Sequence, residues 1–178
     1  MTSELNDAID EHSEDREAPL QPASDAETDE SLEAYPSDSQ IPVRFVDVVM
    51  VLPSTHPVII LEELSAPWRE LRIPIGSPEG IAIAYAARKI DTPRPLTHEL
   101  FTSTLEAYGV TLEVVRITEA DNNAYAAEIS FSGPAGVRSL ACRPSDGIAL
   151  ALRQRLEVPI TAAESVLDQA GSPRSPER

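Results

Sequence analysis

A single cysteine, Cys142, is all the thiol chemistry in this chain of 178 residues, so neither an internal disulfide nor a thiolate-based zinc cluster is available to it. It also lacks any run of Lys and Arg such as nucleic-acid binders use to displace phosphate counterions, so a polyanion has to meet a local basic site. No apolar stretch is long enough to cross a membrane, and the N-terminus has neither the basic nor the apolar segment of a secretory leader. Cytoplasm is the expected compartment, with no membrane partner. Large apolar side chains are nearly missing from the first forty residues, where thirteen acids between Glu4 and Asp38 face one base, Arg16. Such a segment cannot offset its ordering entropy by burial, which predicts a disordered acidic arm over 1–41.

Beyond the arm the composition turns to dense clusters of Val, Ile, Leu and Ala, enough for one domain over 42–171, with a polar, proline-rich tail expected at 172–178. The net charge of −16 divides unevenly, with −12 in residues 1–40 and −4 in the remainder, so the folded part is only mildly acidic. Strand-like runs are expected at 43–52, 56–64 and 68–75. Ser77-Pro78-Glu79 then supplies a cap, a proline and a first-turn acid for a helix, and a second helix starts at Thr97 and stops at Gly109. The order repeats, with strands at 110–118, 124–131 and 136–142, a helix near Ser145-Asp146, and another from Thr161, where Thr161-Ala-Ala-Glu164 forms a capping box. Glu79-Gly-Ile-Ala-Ile-Ala84 parallels Asp146-Gly-Ile-Ala-Leu-Ala151. The expectation is an α+β fold made of a duplicated β-β-β-α-α unit, with mixed or antiparallel sheet packed by helices.

Two polar clusters interrupt the apolar pattern: Arg94-Pro95-Leu96-Thr97-His98-Glu99 and Arg143-Pro144-Ser145-Asp146. Each places an arginine just ahead of a helix start, where free N–H groups and the helix dipole suit a phosphate oxygen. The competing reading is purely structural, with Thr97 and Ser145 as caps, Asp146 complementing the dipole and each arginine paired with a carboxylate. His98 is the candidate general acid or base. Glu79, Glu99 and Asp146 offer oxygen ligands to a divalent metal, Mg2+ or Mn2+, provided the helix starts converge.

Arg94-Pro-Leu-Thr-His-Glu-Leu100, Arg143-Pro-Ser-Asp-Gly-Ile-Ala-Leu-Ala151 and Val158-Pro-Ile160, with Ile73-Pro-Ile-Gly-Ser-Pro-Glu79 and Ala124-Tyr-Ala126, resemble the signature of the bifunctional nuclease domain family over about residues 42–171. The resemblance implies degradation of RNA and DNA. It makes His98, Asp146 and Glu79 the expected catalytic residues, and Arg94, Arg143, Thr97 and Ser145 the expected substrate-binding ones. The sequence departs from the family pattern at Glu99, where aspartate is frequent, at Ala124, where an aromatic is usual, and at Ala141, where an aspartate often stands. The alternative is a non-catalytic regulatory module that binds a small anionic ligand or a protein partner. Self-association is a further expectation, with no residue marking its interface.

Overall fold

Aliphatic and β-branched runs between Pro, Gly and Ser breaks set the strands. In the computed structural model, which describes residues 38–50, 53–122 and 124–174, they are β1 (Gln40–Met50), β2 (Pro57–Glu63), β3 (Arg69–Pro74), β4 (Thr111–Asp121), β5 (Ala124–Gly133), β6 (Gly136–Cys142), β7 (Ile160–Ala163) and β8 (Gly171–Pro173). The helices are α1 (Ser77–Ala87), α2 (Thr97–Ala107), α3 (Pro144–Arg153) and α4 (Glu164–Ala170). The class is α+β. The expected acidic arm lies outside the described residues as far as residue 37, as does the end of the expected tail.

The eight strands form one mixed sheet in the order β6-β5-β4-β7-β1-β2-β3-β8. Every pairing is antiparallel except that of β4 with β7. The sheet therefore contains two meanders, β1-β2-β3 and β4-β5-β6, with β7 filling the slot between them. This corrects the expectation at Thr161, which is a strand residue opposite Pro42 and Arg116; the helix begins only at Glu164. A capping box is a local signal worth about 1 kcal/mol, whereas a strand in this slot satisfies backbone groups on both neighbours that would otherwise be open edges. Gly171–Pro173, read from composition as the start of the tail, likewise pairs with β3 as β8.

Helix starts fall slightly earlier than the expected caps. The N-caps are Gly76, Leu96 and Arg143 in place of Ser77, Thr97 and Ser145, and none caps through a side-chain oxygen. At α2 the Glu99 carboxylate reaches back to accept from the Leu96 N–H at 2.7 Å. That contact is the acidic half of a capping box, satisfying the N-cap N–H.

α3 is the centre of the core. Ser145, Gly147, Ile148, Ala149, Leu150 and Ala151 are all buried, a pattern that runs round the helix and marks one enclosed on every side. It packs against α1, α2, β4 and β5. The small residues of the Asp146-Gly147 stretch make this enclosure possible. A Cβ on Gly147 would lie 2.8 Å from Val115 Cγ1 of β4, and one on Gly80 of α1 would lie 2.7 Å from Pro57 Cγ of β2. Tyr125 Oη donates to the Arg72 carbonyl at 3.3 Å, joining β5 to β3. In a flat sheet five strand spacings, about 24 Å, would separate them. The sheet therefore curls round α3, and its two flanks meet beside that helix's first turn.

On the same side, Glu63 (3% exposed) is clamped by Arg69, whose Nε donates to it at 3.0 Å and whose Nη1 reaches Asp168 of α4. The arginine's hydrogen bond and charge outweigh burial and hold the Glu63 carboxyl below the usual carboxylate range.

Two outcomes follow for stability. Gly147→Ala should destabilise the fold by about 1 to 3 kcal/mol through overpacking on Val115, less about 1 kcal/mol of helix propensity; a denaturation midpoint at or above the parent value would show that β4 yields. Because the folded Glu63 has a depressed pKa, its contribution is present above its unfolded value and is lost as pH falls through the folded one. Acid titration of Glu63→Gln should therefore show a shallower loss of stability below about pH 4.5 than the parent.

Candidate functional site

Three helix N-termini bring their first turns to one corner. α1 supplies Glu79, α2 supplies His98, and α3 supplies Asp146 with Arg143 as its N-cap. Arg143 is the hub. Its Nε donates to Asp146 Oδ2 at 2.8 Å, its Nη2 to Asp146 Oδ1 at 3.0 Å, and its Nη1 to Glu79 Oε1 at 2.9 Å. His98 Nε2 stands 3.4 Å from Asp146 Oδ1. The two acids thus complement the dipoles of α1 and α3, the arginine offsets their mutual repulsion, and the imidazole joins at the edge.

The electrostatics follow from this geometry. Burial pushes the Asp146 carboxyl up, but the Arg143 hydrogen bonds and the His98 contact outweigh it and leave the group below its ordinary value. Asp146 first, and Glu79 after it, raise the already high pKa of Arg143, so the guanidinium is permanently charged. Cys142, next to Arg143, is no nucleophile: burial and the nearby Asp146 charge push its thiol up to about 11.

A cavity of about 290 Å3 opens beside the hub, lined among others by Pro74, Gly76, Glu79, Tyr125, Arg143 and Ser145. It sits where the curled sheet brings the end of β3 to the start of β5. Arg143 remains 65% exposed, while Ser145 is 4% exposed and forms part of the wall. His98 and Asp146 belong to the hydrogen-bonded chain but do not line this cavity. Two larger grooves, of 820 Å3 along Arg155–Thr161 and 700 Å3 beside it, hold none of the expected site residues, while a cavity of about 310 Å3 is lined by Glu99.

The other expected residues are placed differently. Arg94 is exposed in the loop before α2 and takes no part in the hub's hydrogen bonds; Thr97 is exposed at the first position of α2. Glu99 turns away to Arg153 Nη1 at 2.7 Å and to the Thr92 hydroxyl. Those contacts, with the Thr92 bond largest, keep its carboxyl below the usual range. Glu79, Glu99 and Asp146 therefore do not converge. Among the described residues no three His, Cys, Asp or Glu side chains form a metal-binding group. Between Glu79 and Asp146 a guanidinium already occupies the place a divalent cation would take, so the donor set as arranged does not fit Mg2+ or Mn2+. The free helix N-terminus expected at α3 is also narrowed, since Pro144 has no N–H and those of Asp146 and Gly147 both donate to the Arg143 carbonyl. Ala141 lies exposed on β6 opposite Glu128, away from the cavity wall.

Sequence reasoning missed two contributors. Tyr125 closes the sheet and lines the cavity, and its only signal was its place in the Ala124-Tyr-Ala126 stretch. Gly76 matters because a Cβ there would overlap the Glu79 carboxylate, a clash no local pattern encodes.

Comparison with known proteins agrees with the motif reading. Two uncharacterized proteins of Mycobacterium tuberculosis, from two strains, are each 39% identical to this chain over 129 residues, covering 72% of this chain and 75% of theirs. The model of the bifunctional nuclease domain matches residues 59–175, which contain the whole of the Glu79–His98–Arg143–Asp146 corner. On that match and the shared motifs, the chain belongs to the bifunctional nuclease domain family.

Proposed function

We propose that the Glu79–Arg143–Asp146–His98 corner is the working centre of a nuclease that hydrolyses phosphodiester bonds of RNA, DNA or both. The observation that carries this reading is the meeting of four motif residues from three separate helices in one hydrogen-bonded chain at an exposed corner. Three of the five N–H donors of Arg143 hold carboxylates, which leaves one on each terminal nitrogen for a phosphoryl oxygen. Asp146 orients the ring of His98 through Nε2, and Nδ1 has no hydrogen bond among the described residues. In this reading Nδ1 takes the proton of an attacking water as its oxygen bonds to phosphorus, the bond from phosphorus to the leaving sugar oxygen breaks, and the imidazolium returns the proton to that oxygen, while Arg143 stabilises charge building on the remaining phosphoryl oxygens. Glu79 positions Arg143, and Ser145 in the cavity wall and Arg94 in the exposed loop before α2 are the further residues assigned to the strand in this reading.

We take the two meanders with α1 and α3 as copies of one ancestral unit, supported by the matched Glu79-Gly-Ile-Ala and Asp146-Gly-Ile-Ala helix starts, whose glycines each close on a strand side chain, Gly80 on β2 and Gly147 on β4.

A second reading has its own support. Two carboxylates already offset the charge of Arg143, which leaves the corner at −1 with His98 neutral. That balance suits a module that holds a small anion or a protein partner without cleaving it.

Purified protein should cleave single-stranded RNA or DNA, and cleavage should survive a chelator as well as added magnesium or manganese. His98→Ala and Asp146→Asn should each slow it by about 10² to 10⁴-fold while far-ultraviolet circular dichroism stays unchanged. Equal cleavage by parent and both variants would point to a contaminant; phosphate binding lost in Arg143→Gln, with no cleavage by the parent, would favour the second reading. A milder probe is Gly76→Ala, whose added methyl displaces only the flexible end of Glu79. It should leave the melting temperature within a few degrees of the parent yet change turnover by about tenfold, and an unchanged rate would remove Glu79 from the positioning of Arg143.

A further inference from the structure

Arg143 divides the corner into two sides. Its Nη1 donates to Glu79, which lines the 290 Å3 cavity, and its Nε and Nη2 donate to Asp146, which does not; His98 follows Asp146 on that second side. A phosphate on the remaining donors of Arg143 therefore has the imidazole to one side and the cavity to the other. The proton transfer of the nuclease reading takes place away from the cavity, which is left to a part of the substrate that does not react.

The walls define that part. Pro74 and Ile75 come from the end of β3 and the residue after it, Ala124 and Tyr125 from the start of β5. Pro74 and Ala124 are exposed, and Ile75 and Tyr125 are half-buried, so these side chains present surface to whatever enters. Among the described residues the charges in the lining are Glu79 and Arg143, one of each sign and bonded to each other at 2.9 Å. A phosphate moved from the solvent edge of Arg143 into this space would lose water and gain no net attraction. A flat, uncharged ring would instead bury its faces against proline, isoleucine and tyrosine. The volume lies just under the range usual for small-ligand sites, which suits one base rather than a stacked pair.

We propose that this cavity receives the nucleobase on the sugar next to the scissile phosphate, packed against the Tyr125 ring, which makes Tyr125 a substrate-binding residue. The inference rests on the nuclease reading for the phosphate on Arg143, and it adds a requirement for a base free to leave its stack. Binding tests it without turnover. With full-length protein at constant ionic strength, calorimetric titration should give adenosine or cytidine 5′-monophosphate an affinity about tenfold above that of ribose 5-phosphate, which carries the same phosphate and no base. Tyr125→Leu should remove that advantage and leave ribose 5-phosphate unchanged. Tyr125→Phe, which loses only the bond to the Arg72 carbonyl, should keep it. Arg143→Gln should weaken nucleotide and sugar phosphate alike. Equal affinities in the parent, or no binding of either nucleotide at millimolar concentration, would overturn the proposal whether or not any variant folds, and so would an advantage that survives Tyr125→Leu. Cleavage of single strands by a protein without the advantage would sink the base pocket and leave the nuclease reading standing; the advantage in a protein that cleaves nothing would do the reverse.

Discussion

The close seating of α3 against β4 at Gly147 is the constraint on which the rest of the molecule depends. With no side chain at that position the helix sinks to the floor of a sheet that curls round it, and nearly every residue from Pro144 to Ala151 is buried. A helix enclosed in this way can expose chemistry only at its ends. Both polar centres of the protein lie there, with Arg143 at the N-terminal end and Arg153 at the C-terminal end. The burial of α3 therefore fixes the place of two polar centres that share no side chain.

At the N-terminal end, packing decides which acids can meet. α1 lies on α3, so their first-turn acids Glu79 and Asp146 approach one another, and repulsion between them would be unfavourable in a partly dry corner. Arg143 resolves this by contacting both. The same arginine that suits a phosphate is thus first required by the fold, which is why a functional and a structural account of the Arg-Pro-Ser-Asp motif were equally open from sequence. They describe two parts of one guanidinium, with three donors committed inward and two directed to solvent.

Much of this was legible in the chain itself. Strands from β1 to β6 and helices α1 to α3 followed from β-branched runs, Pro and Gly breaks and first-turn acids, because each of these is a local preference that the tertiary structure respects. The paired Glu79-Gly80 and Asp146-Gly147 pointed to close helix packing, and the contacts to Pro57 and Val115 are that packing. What stayed hidden was non-local. Nothing near Thr161 announces that its segment will be drawn between β1 and β4, since the open backbone edges that attract it lie more than forty residues away in the sequence. Glu99 reads like Glu79 as a first-turn acid, but the Thr92 hydroxyl, the Leu96 N–H and Arg153 at the far end of α3 together hold it away from the corner. Arg153 itself carried no motif, because a buried arginine with two of its three nitrogens unpaired among the described residues is a property of its surroundings.

The distribution of charge then limits what kind of recognition the corner can perform. Most of the net charge of −16 lies in the first forty residues, and the corner carries −1 of its own, so no long-range attraction draws a nucleic acid toward it. A surface that clamps a duplex needs a row of bases, each releasing counterions, and this corner has a single exposed guanidinium, that of Arg143. For the proposed nuclease, selectivity must then act at contact distance, on one phosphate at a time. That favours flexible single strands, which can bend one linkage into a cavity of this size, over a stiff helix whose neighbouring phosphates would meet the acidic surroundings together.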